Sequence, residues 1–210
     1  MNTIKPLVVV GLFAFFAMPL FAQRQEISSQ DFWSFLLEAE IKAHQYDRRE
    51  TRTRELFGDP NASRTVWIDE YLLPDRHRRV ERSWFKGKEY ITEQIEIGET
   101  KYCRKDNGKW LVTNCNGSTL GGGLPSITEK ASRESKQLGN KKFEYYQYYR
   151  TFGSELGLGF SQIEVWVDSL GRITKRLEIY GKVKTKKLSE KDLLSYVFKP
   201  KGLKIEKPID

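Results

Sequence analysis

Arg64 to Lys105 reads RTVWIDEYLLPDRHRRVERSWFKGKEYITEQIEIGETKYCRK, a run of strand signals broken by short turns. Arg64 to Leu72 is rich in β-formers (Thr65, Val66, Trp67, Ile68, Tyr71), and Pro74-Asp75 then marks a turn. The pattern repeats. Arg79 to Phe85 and Lys88 to Ile97 are strands parted at Lys86-Gly87, and Gly98-Glu99 turns the chain into Thr100 to Lys105. Strands joined by turns this short must run antiparallel, because a parallel pair needs a long crossover. Outward from this stretch, Arg48 to Leu56 alternates Thr and Arg and reads as a strand before it. After it, Asn107-Gly108 signals a two-residue hairpin, with Lys109 to Thr113 returning.

Upstream, the period changes to that of a helix. Ser28 is placed to cap it, with Asp31 reaching back from three residues on. Phe32, Phe35, Leu36, Ala39, Ala43 and Tyr46 fall on one face, and Trp33, Leu37 and Ile41 widen the stripe. Such a helix must lie on an apolar surface, most simply a sheet. Downstream, Asn114 to Asn140 is a break holding Gly117, Gly121-Gly122-Gly123 and Pro125, with a short helix expected at Ser126 to Lys136. Strands resume at the aromatic stretch Lys141 to Thr151, at Ser161 to Asp168, at Ile173 to Tyr180 and at Leu193 to Lys199. An extended tail follows, from Pro200 to Asp210.

The N-terminus has the three parts of a cleavable export signal: Lys5, an apolar run from Leu7, and the small residue Ala22 before polar Gln23. Pro19 interrupts the run, which is marginal for a membrane span. Residues 1–22 are therefore expected to be removed, leaving 23–210 as a single domain in the periplasm or outside the cell. The whole chain carries a net charge of +8, of which the signal holds only Lys5. A basic surface suits anionic headgroups or acidic glycans, and export argues against nucleic acid. Cys103 and Cys115 are the two cysteines, and in an oxidising compartment they are expected to pair, free thiols being the alternative.

No arrangement of acid, base and nucleophile is visible. The nucleophile-elbow motif is absent, and the glycines of the break lack the Lys-Ser/Thr of a phosphate loop. His44 and His77 read as solvated surface histidines. Neighbours such as Asp69 and Glu70 point to opposite faces of a strand and cannot share a substrate. No cofactor and no metal site is expected. The remaining chemistry is apolar capture. One acyl chain of about 14 methylenes gains roughly 11 kcal/mol on burial, against an association cost of about 4–15 kcal/mol. Tight binding therefore calls for more than one chain.

The order of elements resembles the periplasmic lipoprotein-carrier superfamily, the LolA and LppX/LprG-like half-barrels. Trp67–Val80 (WIDEYLLPDRHRRV) looks like that family's strand ending in a Pro-x-Arg turn, and Ile95–Arg104 (IEIGETKYCR) like its apolar strand, Gly turn and Tyr-containing strand. Val165–Arg176 (VWVDSLGRITKR) resembles the late hairpin, and Tyr196–Pro208 (YVFKPKGLKIEKP) the closing strand and Ile-x-x-Pro tail. The sequence departs from the carriers in lacking a lipid-attachment Cys after the signal, in its cysteine pair, and in the Arg and Glu of Arg48 to Glu55.

The resemblance implies an α+β fold: a strongly curved antiparallel sheet, an open half-barrel of about ten strands, covered by one long N-terminal helix and minor helices. It implies a cavity between helix and sheet that takes acyl chains of lipids or lipoproteins. The candidate cavity residues are Phe32 and Leu36 on the helix, Val66, Ile68, Trp84, Ile91 and Ile95 in the first meander, and Tyr146, Ile163, Val165, Leu177 and Ile179 in the second. The expected role is that of a soluble, monomeric, non-enzymatic carrier served by a donor or acceptor protein at the inner or outer membrane. The alternatives are a non-catalytic interaction or structural protein of the envelope and, behind it, an enzyme on envelope lipids or glycans.

Overall fold

Among the described residues, alternation with short turns produces a single sheet of eleven strands. The computed structural model describes residues 24–58, 63–113, 126–154 and 157–208. The export signal, the glycines at 117 and 121–123, and Cys115 lie outside the described residues. In chain order the elements are β1 (Gln25–Ile27), α1 (Ser29–His44), β2 (Arg48–Leu56), β3 (Arg64–Leu72), β4 (Arg76–Phe85), β5 (Lys88–Ile97) and β6 (Thr100–Lys105). There follow β7 (Ser126–Leu138), β8 (Lys141–Ser154), β9 (Gly157–Val167), β10 (Ile173–Lys182) and β11 (Leu188–Phe198).

The strand order is β1-β7-β8-β9-β10-β11-β2-β3-β4-β5-β6, and every pairing is antiparallel. Two meanders, β2–β6 and β7–β11, are thus joined where β11 pairs with β2. The outermost strands, β1 and β6, do not pair with each other, so the sheet stays open.

α1 starts as its cap predicts. Ser28 is extended, its Oγ accepts from Asp31 N at 3.0 Å, and its hydroxyl donates to Asp31 Oδ2 at 2.7 Å. The buried stripe is Phe32, Leu36, Ala39 and Ala43. It packs against β7, β8 and β10, on a core of Tyr146, Tyr148, Ile163, Val165, Val167 and Ile173. Phe35 stacks on Tyr146 at 3.7 Å and Phe32 on Tyr148 at 5.1 Å between ring centroids. The second stripe, Trp33, Leu37 and Ile41, is 41–59% exposed rather than a continuation of the core. Among the described residues no helix is long and apolar enough to cross a membrane.

Four expectations are corrected. Ser126 to Lys136 is not a helix but most of β7, and α1 is the one helix among the described residues. Ile127 and Ala131 are spaced as on a helix, but β7 lies along the long aromatic strand β8 and pairs with it from Ser126 to Leu138, so tertiary pairing outweighs local propensity. The turn after β6 falls one residue early: Asp106 and Asn107 carry the positive φ angles, 48° and 58°, and Gly108 N closes on Lys105 O. The strand expected from Lys109 shrinks to one bridge, Leu111 to Cys103. His77 lies on β4 and is not a solvated surface histidine. It is 18% exposed, donates through Nε2 to Asp69 Oδ1 at 2.8 Å and stacks on Tyr71. His44, 57% exposed, is a surface histidine as read.

The tail runs back across the sheet end without regular structure. Lys199 N donates to Asp47 O at 2.8 Å, Arg76 Nη1 donates to Ile205 O at 2.9 Å, and Ile205 is buried.

Candidate binding site

Directly opposed residues of an antiparallel pair project to the same side of the sheet. Register therefore sorts the candidate residues. Phe32, Leu36, Tyr146, Ile163 and Val165 meet beneath α1, where they are buried core. Val66 pairs with Arg82 and Ile68 with Val80; Arg82 pairs with Ile91, Trp84 with Arg64, and Ile95 with Arg78. The pairs Thr53–Val66, Leu193–Thr53 and Leu177–Leu193 carry the same side through to β10, where Ile179 follows Leu177 by two. On β10 it is Glu178, not Leu177 or Ile179, that stands opposite Ile163, so both of its neighbours point away from α1.

Val66, Ile68, Trp84, Ile91, Ile95, Leu177 and Ile179 thus lie on the far side of the sheet from α1. The candidates form two groups on opposite sides, not the lining of one enclosure. Period-two alternation shows that a strand has two faces and does not say which one a helix will cover. On β2–β5 the helix side carries Arg48, Glu50, Arg52, Trp67, Asp69, His77, Arg79 and Gln94, by the same registers.

The far side of β2–β6 holds a ladder of charge laid across an apolar floor. Arg49 Nε donates to Glu70 Oε1 at 2.8 Å, and Arg78 Nη1 to Glu70 Oε2 at 3.3 Å. Arg78 Nη2 donates to Glu93 Oε1 at 2.6 Å, and Arg104 closes the row on Glu93 Oε2 through Nε at 2.5 Å. One guanidinium or carboxylate from each of five successive strands, Arg-Glu-Arg-Glu-Arg, is engaged. The carboxylates are buried and the guanidiniums are 30–44% exposed. Burial alone would raise the Glu93 carboxyl, but the bonds and charges of Arg78 and Arg104 hold it below the ordinary range.

These residues line a groove of about 460 Å³. Its floor is Ile68, Val80 and Ile91, and its rim adds Arg82 and Asn107. Four guanidiniums stand against two carboxylates in the lining. Arg82 reaches one further acid, Glu89, at 3.5 Å, with both side chains well exposed, a pairing worth little. An apolar floor under a cationic rim can hold an amphiphile.

The helix side between the meanders is a different environment. Arg52 forks onto Asp192 with Nε at 2.8 and 3.0 Å, Arg54 meets Glu190, and Arg176 joins Glu40 of α1 to Glu178. A cavity of about 140 Å³ lies among Arg52, Arg176, Glu178, Asp192 and Leu194. A wider groove of about 850 Å³ follows the β1–β7 edge, lined by Arg24, Gln147, Tyr149 and Gln162 among others. There Arg24 is already committed to Ser132 and Gln147.

Asp69 and Glu70 face opposite ways as read: Asp69 to His77 and Arg79, Glu70 to Arg49 and Arg78. The far-side arginines were missed as site residues, although Arg76 to Arg82 (RHRRVER) is dense in charge at alternating positions. Among the described residues no cysteine is free, and Cys103 is buried. No group of three or more His, Cys, Asp or Glu among them is arranged to hold a metal.

No family model matches the sequence, and no curated protein matches it. Among solved structures the chain is similar to the crystal structure of a LolA superfamily protein from Nitrosomonas europaea. The TM-score is 0.28 and the identity 8%, over 81% of this chain and 92% of that one.

Proposed function

We propose that the mature chain is a soluble, non-catalytic periplasmic carrier that holds the acyl part of a lipid or lipoprotein on the far side of its sheet. The observation that carries this reading is the groove of about 460 Å³ with Ile68, Val80 and Ile91 as floor and arginines as rim. Beneath α1 the core side chains are packed, Phe32, Val165 and Ile173 being at 0% exposure, and the groove that stays open beside Phe35 and Val167 is smaller, about 340 Å³. An acyl chain fits where an apolar surface is open, and the far side offers one. Cys103 and Cys115 pair in that compartment, and the carrier works as a monomer between a donor and an acceptor.

The test is direct. Mature protein purified from an exporting host and measured by native mass spectrometry carries lipid, and it takes up a fluorescent fatty-acid probe. Val80→Ser with Ile91→Ser lowers probe affinity about tenfold, as expected for about 1.4 kcal/mol of lost apolar contact. A chain that is empty and takes up no probe contradicts the reading.

A second reading, an interaction module of the envelope, is favoured by the exposed stripe Trp33, Leu37 and Ile41 on α1. A stoichiometric protein partner lost in Leu37→Glu, from a protein that takes up no probe, would favour it.

A further inference from the structure

We propose that the far-side groove selects ligands bearing a phosphate group, held by Arg49, Arg78, Arg82 and Arg104 at its rim. This rests on the carrier reading for the apolar part of the ligand and deepens it by naming the polar part.

Three observations support it. First, the ladder leaves donors over. Arg49 uses Nε and Nη2 on Glu70, and Arg104 uses Nε and Nη2 on Glu93. A fork engaged through Nε and Nη2 directs Nη1 away from its carboxylate, toward a further acceptor. Second, the forks are pre-oriented. Glu70 and Glu93 are buried beneath them and fix three guanidiniums in a row, so a ligand does not have to order them. Third, the charge does not balance within the groove: four guanidiniums line it with two carboxylates.

A tetrahedral phosphate offers three or more acceptor oxygens and can engage several planar forks at once, whereas a carboxylate offers two. The floor of Ile68, Val80 and Ile91 beside the rim places an acyl chain next to that anion. A lipid headgroup and the free ion are both sources of phosphate, and both present the same chemistry to the arginines.

Isothermal titration of the mature protein at low salt separates these sources. The probes are dioctanoylphosphatidate, dioctanoylglycerol with the same chains and no phosphate, and inorganic phosphate. Phosphatidate is expected to bind about tenfold or more tightly than dioctanoylglycerol, the step expected for about 1.4 kcal/mol. In Arg49→Gln/Arg82→Gln, side chains 44% and 48% exposed, the two affinities are expected to converge with the circular dichroism spectrum unchanged. Inorganic phosphate that binds alone, and loses affinity in the same variant, extends the site to the free anion. Equal affinity for the two lipids, or a phosphatidate advantage that survives the double substitution, overturns the proposal. If neither lipid binds, the carrier reading fails, and the inorganic phosphate arm alone decides the anion site: no phosphate binding overturns it too.

Discussion

Arg78 sits between two buried carboxylates, bonded to Glu70 at 3.3 Å and to Glu93 at 2.6 Å. Burial opposes its charge, and the bonds and charges of Glu93 and Glu70 outweigh that, so it is held in its charged form. Removing it would leave both acids short of a partner. Arg78→Ala is expected to cost roughly 2–3 kcal/mol in urea unfolding, somewhat under the range for a fully buried pair because Arg78 is part exposed.

The pH dependence has a definite sign. Asp69 and Glu93 both titrate below their ordinary values in the folded chain. Burial alone would raise them, but His77 and Arg79 act on Asp69, and Arg78 and Arg104 on Glu93. A lowered folded pKa gives stability that is present above the unfolded pKa and lost as pH falls through the folded one. Melting temperature is therefore expected to hold from neutral pH to about 5 and to fall below about 4. Glu93→Gln should flatten that fall, and a protein most stable at pH ~3 would contradict the assignment. Single residues were partly legible in the sequence. The opposition of Asp69 and Glu70 follows from strand geometry alone, whereas the burial of His77 depends on Tyr71 and Asp69 across a strand pair.

At the scale of elements, α1 and the strands from β2 to β6 were readable because cap, period and turn signals agree. Ser28 is the clearest case. Ser28→Ala is expected to cost about 1 kcal/mol, measured by denaturant unfolding, since its Oγ satisfies an otherwise open N–H of the first turn. β7 was not readable. Its sequence is polar with weak strand preference, and its state is set by the partner β8.

The β10–β11 hairpin shows the same dependence on context. Its register shifts at Gly181, where an added Cβ would lie 2.6 Å from both Lys187 O and the Phe160 ring. Gly181→Ala is expected to destabilise by about 1–3 kcal/mol, because a backbone oxygen cannot move aside as a side chain can. An unchanged melting temperature would show that the hairpin has more room than this geometry allows.

For the whole molecule, an antiparallel sheet with an N-terminal helix was legible from the order of elements, whereas its openness came only from the family resemblance. Which face the helix covers was not. That choice rests on α1 meeting β7, β8 and β10, strands far downstream of it that no local pattern links to it. It also decides where a ligand can lie. The face beneath α1 is spent on packing apart from the smaller groove beside Phe35 and Val167, and on β2–β6 the far face combines part-exposed aliphatic residues with charge.

Methyl-resolved NMR of the mature protein titrated with dioctanoylphosphatidate tests the location of the site. Binding on the far side predicts shifts at Ile68, Val80 and Ile91, with Leu36, Ile163 and Val165 unmoved. Shifts confined to Leu36, Ile163 and Val165 would place the ligand between helix and sheet and contradict the account.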